Sequence, residues 1–567
     1  CQRQSCKGTG EGRRLMAKVL GSVWALLLGI VLIMLGNGMH FTLIGLRGGI
    51  EGFSSAELAI VTSGYFVGFL SGARYTPVLI QRVGHVRVFA ALGSFISAAL
   101  IALPLLTEPW AWTLLRLLIG FCMSGIYVTA ESWLNAAASN ETRGKVLSAY
   151  MMAQTLGIIG AQGLLTLGDA ATSVLFICAS ILVSISFGPI LLSAAVAPVV
   201  EVSRAMSFAK LFKASPLGAI GIFLLGSVYA TQSGMGAVFG TQVGLSGSHI
   251  ALFIAMLFAG ALVLQAPIGW LSDRMDRRVL ICGLSAAGAG SCLFGWMAGD
   301  ALWPLIASAF FAGGVTTPLY ALLLAFTNDL LSAEEMPGAS GGLVFAFGLG
   351  AIVGPLAAGG AMEVMDPYAF WLVLATTFVA ISLYALYQIT QREMVPVEET
   401  DSYLNILPTA SPMAVEVAVE WAHEHAEDEQ LAAEAAEAAA QEEAFEVALE
   451  EAFEDALEEA LDEAFEANVA PLEEAELVEP DHEYVAEPLL EADADTEIAF
   501  ETELLSELLP GAELTTETEA APASETEPRS QKDSERDSEP HEESDPQSPY
   551  QFDSEHQPPK GPWPSMP

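Results

Sequence analysis

Residues 269–278 read GWLSDRMDRR, five charges in ten positions. The stretch before it is IALFIAMLFAGALVLQAPI and the stretch after it is VLICGLSAAGAGSCLFGWM. A short charged turn between two such runs is what a chain needs when it crosses a bilayer, turns in water and crosses back. About 20 apolar residues cover the hydrocarbon. Runs of this kind recur near 19–45, 57–80, 86–106, 110–131, 145–168, 172–196, 218–242, 249–271, 279–298, 302–326, 339–363 and 367–390, which predicts twelve spans. Their frequent Gly and Pro are tolerated because neighbouring helices satisfy the freed backbone groups.

The orientation follows from Lys and Arg in the short loops. With the amino terminus in the cytoplasm, the inside segments carry Arg13, Arg14 and Lys18; Arg82 and Arg87; Arg143 and Lys145; Arg204, Lys210 and Lys213; and Arg274, Arg277 and Arg278. The outside loops carry only Arg47. Both termini are therefore expected in the cytoplasm of a multi-pass membrane protein. Met16 reads as a natural start, so residues 1–15 are expected to carry no structure. The run from Val19 is too long for a signal peptide and lacks a small-residue cleavage site.

The chain combines a mean hydropathy of +0.45 with a net charge of -45, and the two belong to different parts of it. Residues 391–567 hold 52 of the 68 acids and 5 of the 23 bases. This divides the chain into a cytoplasmic segment (1–18), a first six-helix half (19–196), a basic connector (197–217), a second six-helix half (218–390) and an acidic tail (391–567) read as a separate physical object. Within the tail, 430–470 predicts a helix built on AFEVALEE, AFEDALEE and ALDEAFEA. A period of four drifts around a helix of 3.6 residues per turn, so the repeat makes a winding stripe and not a coiled-coil seam. Beyond about residue 515 the Ser, Pro, Glu and Asp composition predicts disorder.

The two halves repeat at an offset of about 193 residues: Gly120, Tyr127, Asn135 and Glu141 fall opposite Gly313, Tyr320, Asn328 and Glu334, and Gly157 opposite Gly350. Parallel halves of this kind place a binding site between them near the midplane. Ionisable groups inside spans are costly and mark function. On the fourth span Arg116, Gly120, Ser124, Tyr127 and Glu131 share one face at helical spacing. Arg116 is the candidate for an anionic group or proton site, and Glu131 for a proton or a gate contact, with a plain helix end as the competing reading for Glu131. Asn37, His40, Arg74, Gln154, Gln162, Gln232 and Tyr320 complete the candidate substrate or proton pathway. Packing between helices competes for each amide and hydroxyl, and snorkelling to the inner surface competes for Arg74. No Walker loop, HExxH or dinucleotide fingerprint occurs. The expectation is a non-enzyme with no cofactor or metal.

Across 19–390 the chain resembles the major facilitator superfamily. Gly269-x-x-x-Asp273-Arg274-x-x-Arg277-Arg278 matches that family's signature turn. The equivalent turn between the second and third spans departs from it, with Pro77, Gln81 and His85 at signature positions. Arg116-Leu-Leu-Ile-Gly120 resembles the family's RxxxG motif, and Glu131-Ser-Trp-Leu-Asn135 followed by Arg143-Gly-Lys-Val-Leu-Ser-Ala-Tyr-Met151 is similar to a YcaD-like bacterial branch. The resemblance implies an all-α membrane protein acting as a secondary transporter of a small molecule by alternating access, with protons as the candidate coupling ion. It also implies a cytoplasmic gate at Gly269, Asp273, Arg274, Arg277 and Arg278, in which Asp273 meets neighbouring arginines and Gly269 admits a neighbouring helix. The expected partners are the substrate, membrane lipids, protons and a basic cytoplasmic protein at the tail, with no nucleic acid. The rival reading is a transporter-like scaffold or sensor whose tail binds that protein.

Overall fold

The computed structural model describes residues 2–138, 140–192, 206–332, 335–391, 403 and 406–468. All of the regular structure among the described residues is helical. The first part comprises α1 (Gln2–Ile50), α2 (Ser55–Val83), α3 (His85–Ala102), α4 (Pro109–Ala137), α5 (Asn140–Leu165) and α6 (Val174–Leu192). A short connector helix α7 (Phe208–Ala214) leads to α8 (Pro216–Ala230), which passes through a π-helical turn at Thr231–Met235 into α9 (Gly236–Gln242). Then follow α10 (Gly247–Ser272), α11 (Arg277–Met297), α12 (Leu302–Asn328), α13 (Met336–Val364), α14 (Ala369–Gln391) and, in the tail, α15 (Pro412–Asn468).

Ten helices among the described residues are long and apolar enough to cross a membrane, counting α8 to α9 as one. The two other predicted spans correspond to α5 and α6. Glu141, Arg143, Lys145, Gln154 and Gln162 lower the hydropathy of α5, and the apolar part of α6, Val174–Pro189, is short. At the amino end the sequence reading is corrected. Residues 2–15 form the start of α1, and no proline interrupts them. Residues 197–205 of the predicted connector lie outside the described residues, as does the tail beyond 468.

The packing of the first six helices recurs in the second six. α2 packs on α4, α3 on α4 and α6, and α1 on α5 and α6; correspondingly α10 packs on α12, α11 on α12 and α14, and α8 on α13 and α14. Glycines make the closest of these approaches. A Cβ on Gly68 or Gly120 would run into the carbonyl oxygen of Leu117 or Tyr65 across the α2–α4 seam, and one on Gly260 or Gly313 into Phe310 or Leu257 across the α10–α12 seam. The repeated positions 120 and 313 are therefore the same steric requirement met twice. In lipid, where there is no hydrophobic drive between helices, such backbone approach supplies the packing.

The parts meet along α2–α13, α5–α10 and α1–α9. At the end away from the basic turns this meeting is tight. A Cβ on Gly45 would stand 2.7 Å from the Ala237 Cβ and 2.8 Å from the Val238 nitrogen, and Gln242 donates to the Ser55 hydroxyl. At the other end, called here the basic end, the tail stands against both parts.

The tail differs most from the sequence reading. Residues 406–422 belong to the membrane body: Ile406, Leu407, Ala410, Ala414, Val415, Val417, Ala418, Val419 and Ala422 are all buried in it. From Ala435 to Asp462 α15 is a fully exposed acidic helix. The predicted helix at 430–470 starts earlier, at Pro412, because Ser411 accepts from the Ala414 amide and Pro fits the first helical turn.

Gly260→Ala should destabilise the protein by roughly 1–3 kcal/mol through overpacking of the α10–α12 seam. Gly290→Ala, on the open face of α11 where a Cβ meets nothing within 4 Å, should be neutral or stabilising by up to about 1 kcal/mol from helix propensity. Thermal unfolding of both variants in detergent distinguishes the seam from general intolerance to added bulk.

Candidate functional site

Between the two parts lies a small chamber. It is lined by Asn37, Gly38 and Phe41 of α1, Tyr65 and Phe66 of α2, Tyr127 of α4, Ile158 and Gln162 of α5, Tyr229 of α8, Ser233 of the π turn, Ile254 and Phe258 of α10, and Thr409 of the tail. Its open volume is about 30 Å³, room for little more than a water molecule. A neighbouring pocket adds Gln232, Thr316 and Thr317. The π turn at Thr231–Met235 carries both Gln232 and Ser233, in keeping with the frequent placement of such bulges at functional sites.

The polar groups in and around this chamber are partly unsatisfied. Gln162 is spoken for: its Oε1 accepts from Thr42 (2.9 Å) and its amide reaches the Gly38 carbonyl (3.3 Å). Gln232 Oε1 accepts from Thr316 at 3.0 Å. By contrast Asn37 Oδ1, Gln232 Nε2 and the Tyr320 hydroxyl are buried without a hydrogen-bond partner. Buried orphans of this kind call for an explanation such as water or a ligand.

Arg116 does not line the chamber but stands directly behind its wall. It is 1 % exposed. Its guanidinium lies 4.4 Å from the Phe41 ring centroid and 4.5 Å from that of Tyr65, two rings that do line the chamber. It stands against the His40 ring, 2.9 Å from Nε2 and 3.3 Å from Nδ1. Its Nε has no partner. A guanidinium held by the His40 ring and two aromatic faces is a buried cation without a counter-ion at hand, and such groups mark functional paths in membranes.

Glu131 lies on the same helix toward the basic end and is 3 % exposed. Its two oxygens accept from the Tyr150 hydroxyl at 3.0 Å and from the Ser411 amide at 3.0 Å. The reading of Glu131 as a plain helix end in water is therefore corrected, because tail residues cover it.

The other sequence candidates divide. Asn37, Tyr127 and Gln162 come to the chamber and Gln232 to its neighbour. Tyr320 packs edge-on to Phe347, at 5.5 Å. Gln154 is buried against Met151 of its own helix, with its amide 3.8 Å from the sulfur. Arg74 is exposed and does not line the chamber. Phe41, Tyr65, Tyr150 and Thr409 were not singled out from the sequence; the two rings look like ordinary span residues until Arg116 is placed between them.

The signature turn is arranged differently from the implied latch. Asp273 accepts from the Tyr403 amide at 3.0 Å. Gly269 makes room for the Tyr403 ring, since a Cβ there would lie 2.6 Å from its Cδ1; the expected neighbouring helix is replaced by the tail. Burial, reinforced by the Asp273 charge, pushes the Tyr403 phenol above its ordinary pKa range. Arg277 forms a buried ion pair with Asp329 at the end of α12, at 2.6 Å, and Arg278 one with Asp276 at 2.8 Å. Arg274 stacks over Trp270 at 4.3 Å. Arg277 and Arg278 are thus bonded to Asp329 and Asp276, and Arg274 to Trp270.

Known proteins place this architecture. Residues 217–423 match the family model described as Major Facilitator Superfamily, and residues 27–203 the model described as Sugar (and other) transporter. A protein named uncharacterized MFS-type transporter YcaD, from Escherichia fergusonii, is 26% identical over 338 residues, which cover 59% of this chain and 87% of that protein. The uncharacterized MFS-type transporter YfkF of Bacillus subtilis is 24% identical over 359 residues, 61% of this chain and 91% of its own. Among solved structures, the nucleoside transporter NupG aligns with a TM-score of 0.54 at 16% identity, covering 65% of this chain and 99% of NupG. A bacterial homologue of the human lysosomal transporter Spinster, in an inward-facing and unoccupied conformation, aligns with a TM-score of 0.51 at 14% identity, covering 71% of this chain and 98% of its own. These two show a shared fold. With matching models on both parts and relatives of the YcaD-like branch along most of their length, the chain belongs to the major facilitator superfamily of membrane transporters.

Proposed function

We propose that the chain is a secondary transporter that carries a small molecule across the bacterial inner membrane by alternating access. In this reading α5 and α6 complete twelve spans, and the basic end and both termini face the cytoplasm, as the distribution of Lys and Arg supports. The chamber between the halves is the substrate site. The observation that carries this reading is the pairing of unsatisfied polar atoms there, Asn37 Oδ1 above all, with the uncompensated Arg116 behind the Phe41 and Tyr65 rings. Together they suit a substrate with a flat or apolar body, a hydrogen-bond donor for the Asn37 oxygen and an anionic or strongly accepting group for Arg116. The seam at Gly45 and Ala237 closes the outer path, and moving the halves against each other would open it. Protons are the candidate driving ion, with Glu131 the buried carboxylate placed to carry one. The scaffold reading is not favoured, because the matched family and the solved neighbours are transporters.

A thermal-stability screen of the purified full-length protein across small metabolites should find selective stabilisation by compounds bearing such a group. A ligand at 100 times its Kd adds about 2.7 kcal/mol. Arg116→Gln should lose this response while still inserting in the membrane. A variant that responds as the wild type does would remove Arg116 from the site.

In proteoliposomes loaded with a pH-sensitive dye, the stabilising compound should move protons with it through the wild type. Glu131→Gln should keep compound exchange and lose proton movement. Proton movement that survives the substitution would assign coupling elsewhere.

A further inference from the structure

The volume of the chamber, about 30 Å³, is far below the roughly 300 Å³ or more of ordinary small-molecule sites. Part of what fills the space is the chain itself. Leu407 and Ala410 close a β-turn, with the Ala410 amide donating to the Leu407 carbonyl at 3.0 Å. Pro408 takes the turn position it favours, and Thr409 beside it reaches the chamber wall alongside Tyr127 and Tyr229. Behind the turn, Ser411 presents its amide to Glu131. Ser411 precedes α15, so the partly positive amino end of a long helix faces this carboxylate. Further along, Ala414 and Val417 share a small cavity with Leu134, Asn135 and Leu147. Trp421 lies against Gly144, where a Cβ would be 2.5 Å from its ring, and Glu420 pairs with Arg143 at 3.2 Å. On the other half, Tyr403 fills the notch at Gly269 and bonds Asp273.

We propose that the mouth between the two halves at the basic end is a peptide-binding site whose ligand is this chain's own Tyr403 and residues 406–422. The segment touches both halves at once, so it fixes them in one arrangement, open at the basic end and sealed at the other. It also covers the route from that mouth to the chamber. Passage through this mouth requires the segment to leave. The site is matched to its ligand in chemistry: a carboxylate for the helix start, a glycine notch for the tyrosine, a second glycine for the tryptophan and an arginine for the flanking glutamate. The docking stands on geometry alone, and only its consequence for passage rests on the transporter reading.

The test uses the full-length chain in membranes, on a background without native cysteines, and needs no substrate. Leu147→Cys and Val417→Cys together should be joined by a short thiol crosslinker. Adding Ser411→Asp sets a second carboxylate against Glu131 and should eject the segment. Crosslinking should then fall, and labelling of a separate Asn135→Cys reporter by a charged maleimide from the basic side should rise roughly tenfold, the equivalent of about 1.4 kcal/mol. Ser411→Ala keeps the amide donor and should retain the crosslink, which separates ejection from misfolding. Absence of the crosslink in the unejected chain, or labelling and crosslinking unchanged by Ser411→Asp, would overturn the proposal.

Discussion

A carboxylate taken out of water must find donors to replace it, and at Glu131 the Tyr150 hydroxyl is joined by the amide of a residue 280 positions further along the chain. Much of the arrangement at the basic end follows from that bond. It fixes the start of α15, and the start of α15 fixes where the preceding turn delivers Thr409 and which faces of the following helix meet α4 and α5. Without the tail, Glu131 would keep only the Tyr150 hydroxyl and would open toward the mouth. The same side chain thus serves two readings, as a docking point for the tail and as a proton carrier once the tail has gone.

The rest of the body is set by repetition. Glycine seams hold α2 tightly against α4 and α10 tightly against α12, one close-packed pair in each half. The contacts between the halves are tight at Gly45 and Ala237 and bridged by the tail at the basic end. In the proposed alternating access, the sealed seam would have to part and the tail segment would have to leave its place between the halves.

Much of this was legible in the sequence because it depends on local pattern. Apolar runs gave the helices, and the recurrence of Gly120 at Gly313 marked a packing requirement that the structure explains. Arg116 stood out because a guanidinium inside a span needs a reason. Its aromatic partners did not, since Phe41 and Tyr65 are common span residues whose role depends on a contact between α1, α2 and α4. The tail was misread for a different reason. Averaged over 391–567 the charge is overwhelming, and it hid a stretch in which Ile406, Leu407, Val415, Val417, Val419 and Trp421 alternate with few charges. The Ser411-Pro412 pair was a readable helix start. Gly269 was assigned to helix packing because the family resemblance led there, and no local feature of the turn points to a tyrosine 134 positions later.

Amide hydrogen exchange on the full-length protein in lipid tests most directly whether the tail is part of the transporter body. Exchange reports the free energy of local opening. The amides of 414–421, inside the mouth, should be protected to the degree of the spans, while those of 441–462, on the exposed part of the same helix, exchange much faster. Equal and rapid exchange across both stretches would contradict the account and return the tail to the solvent.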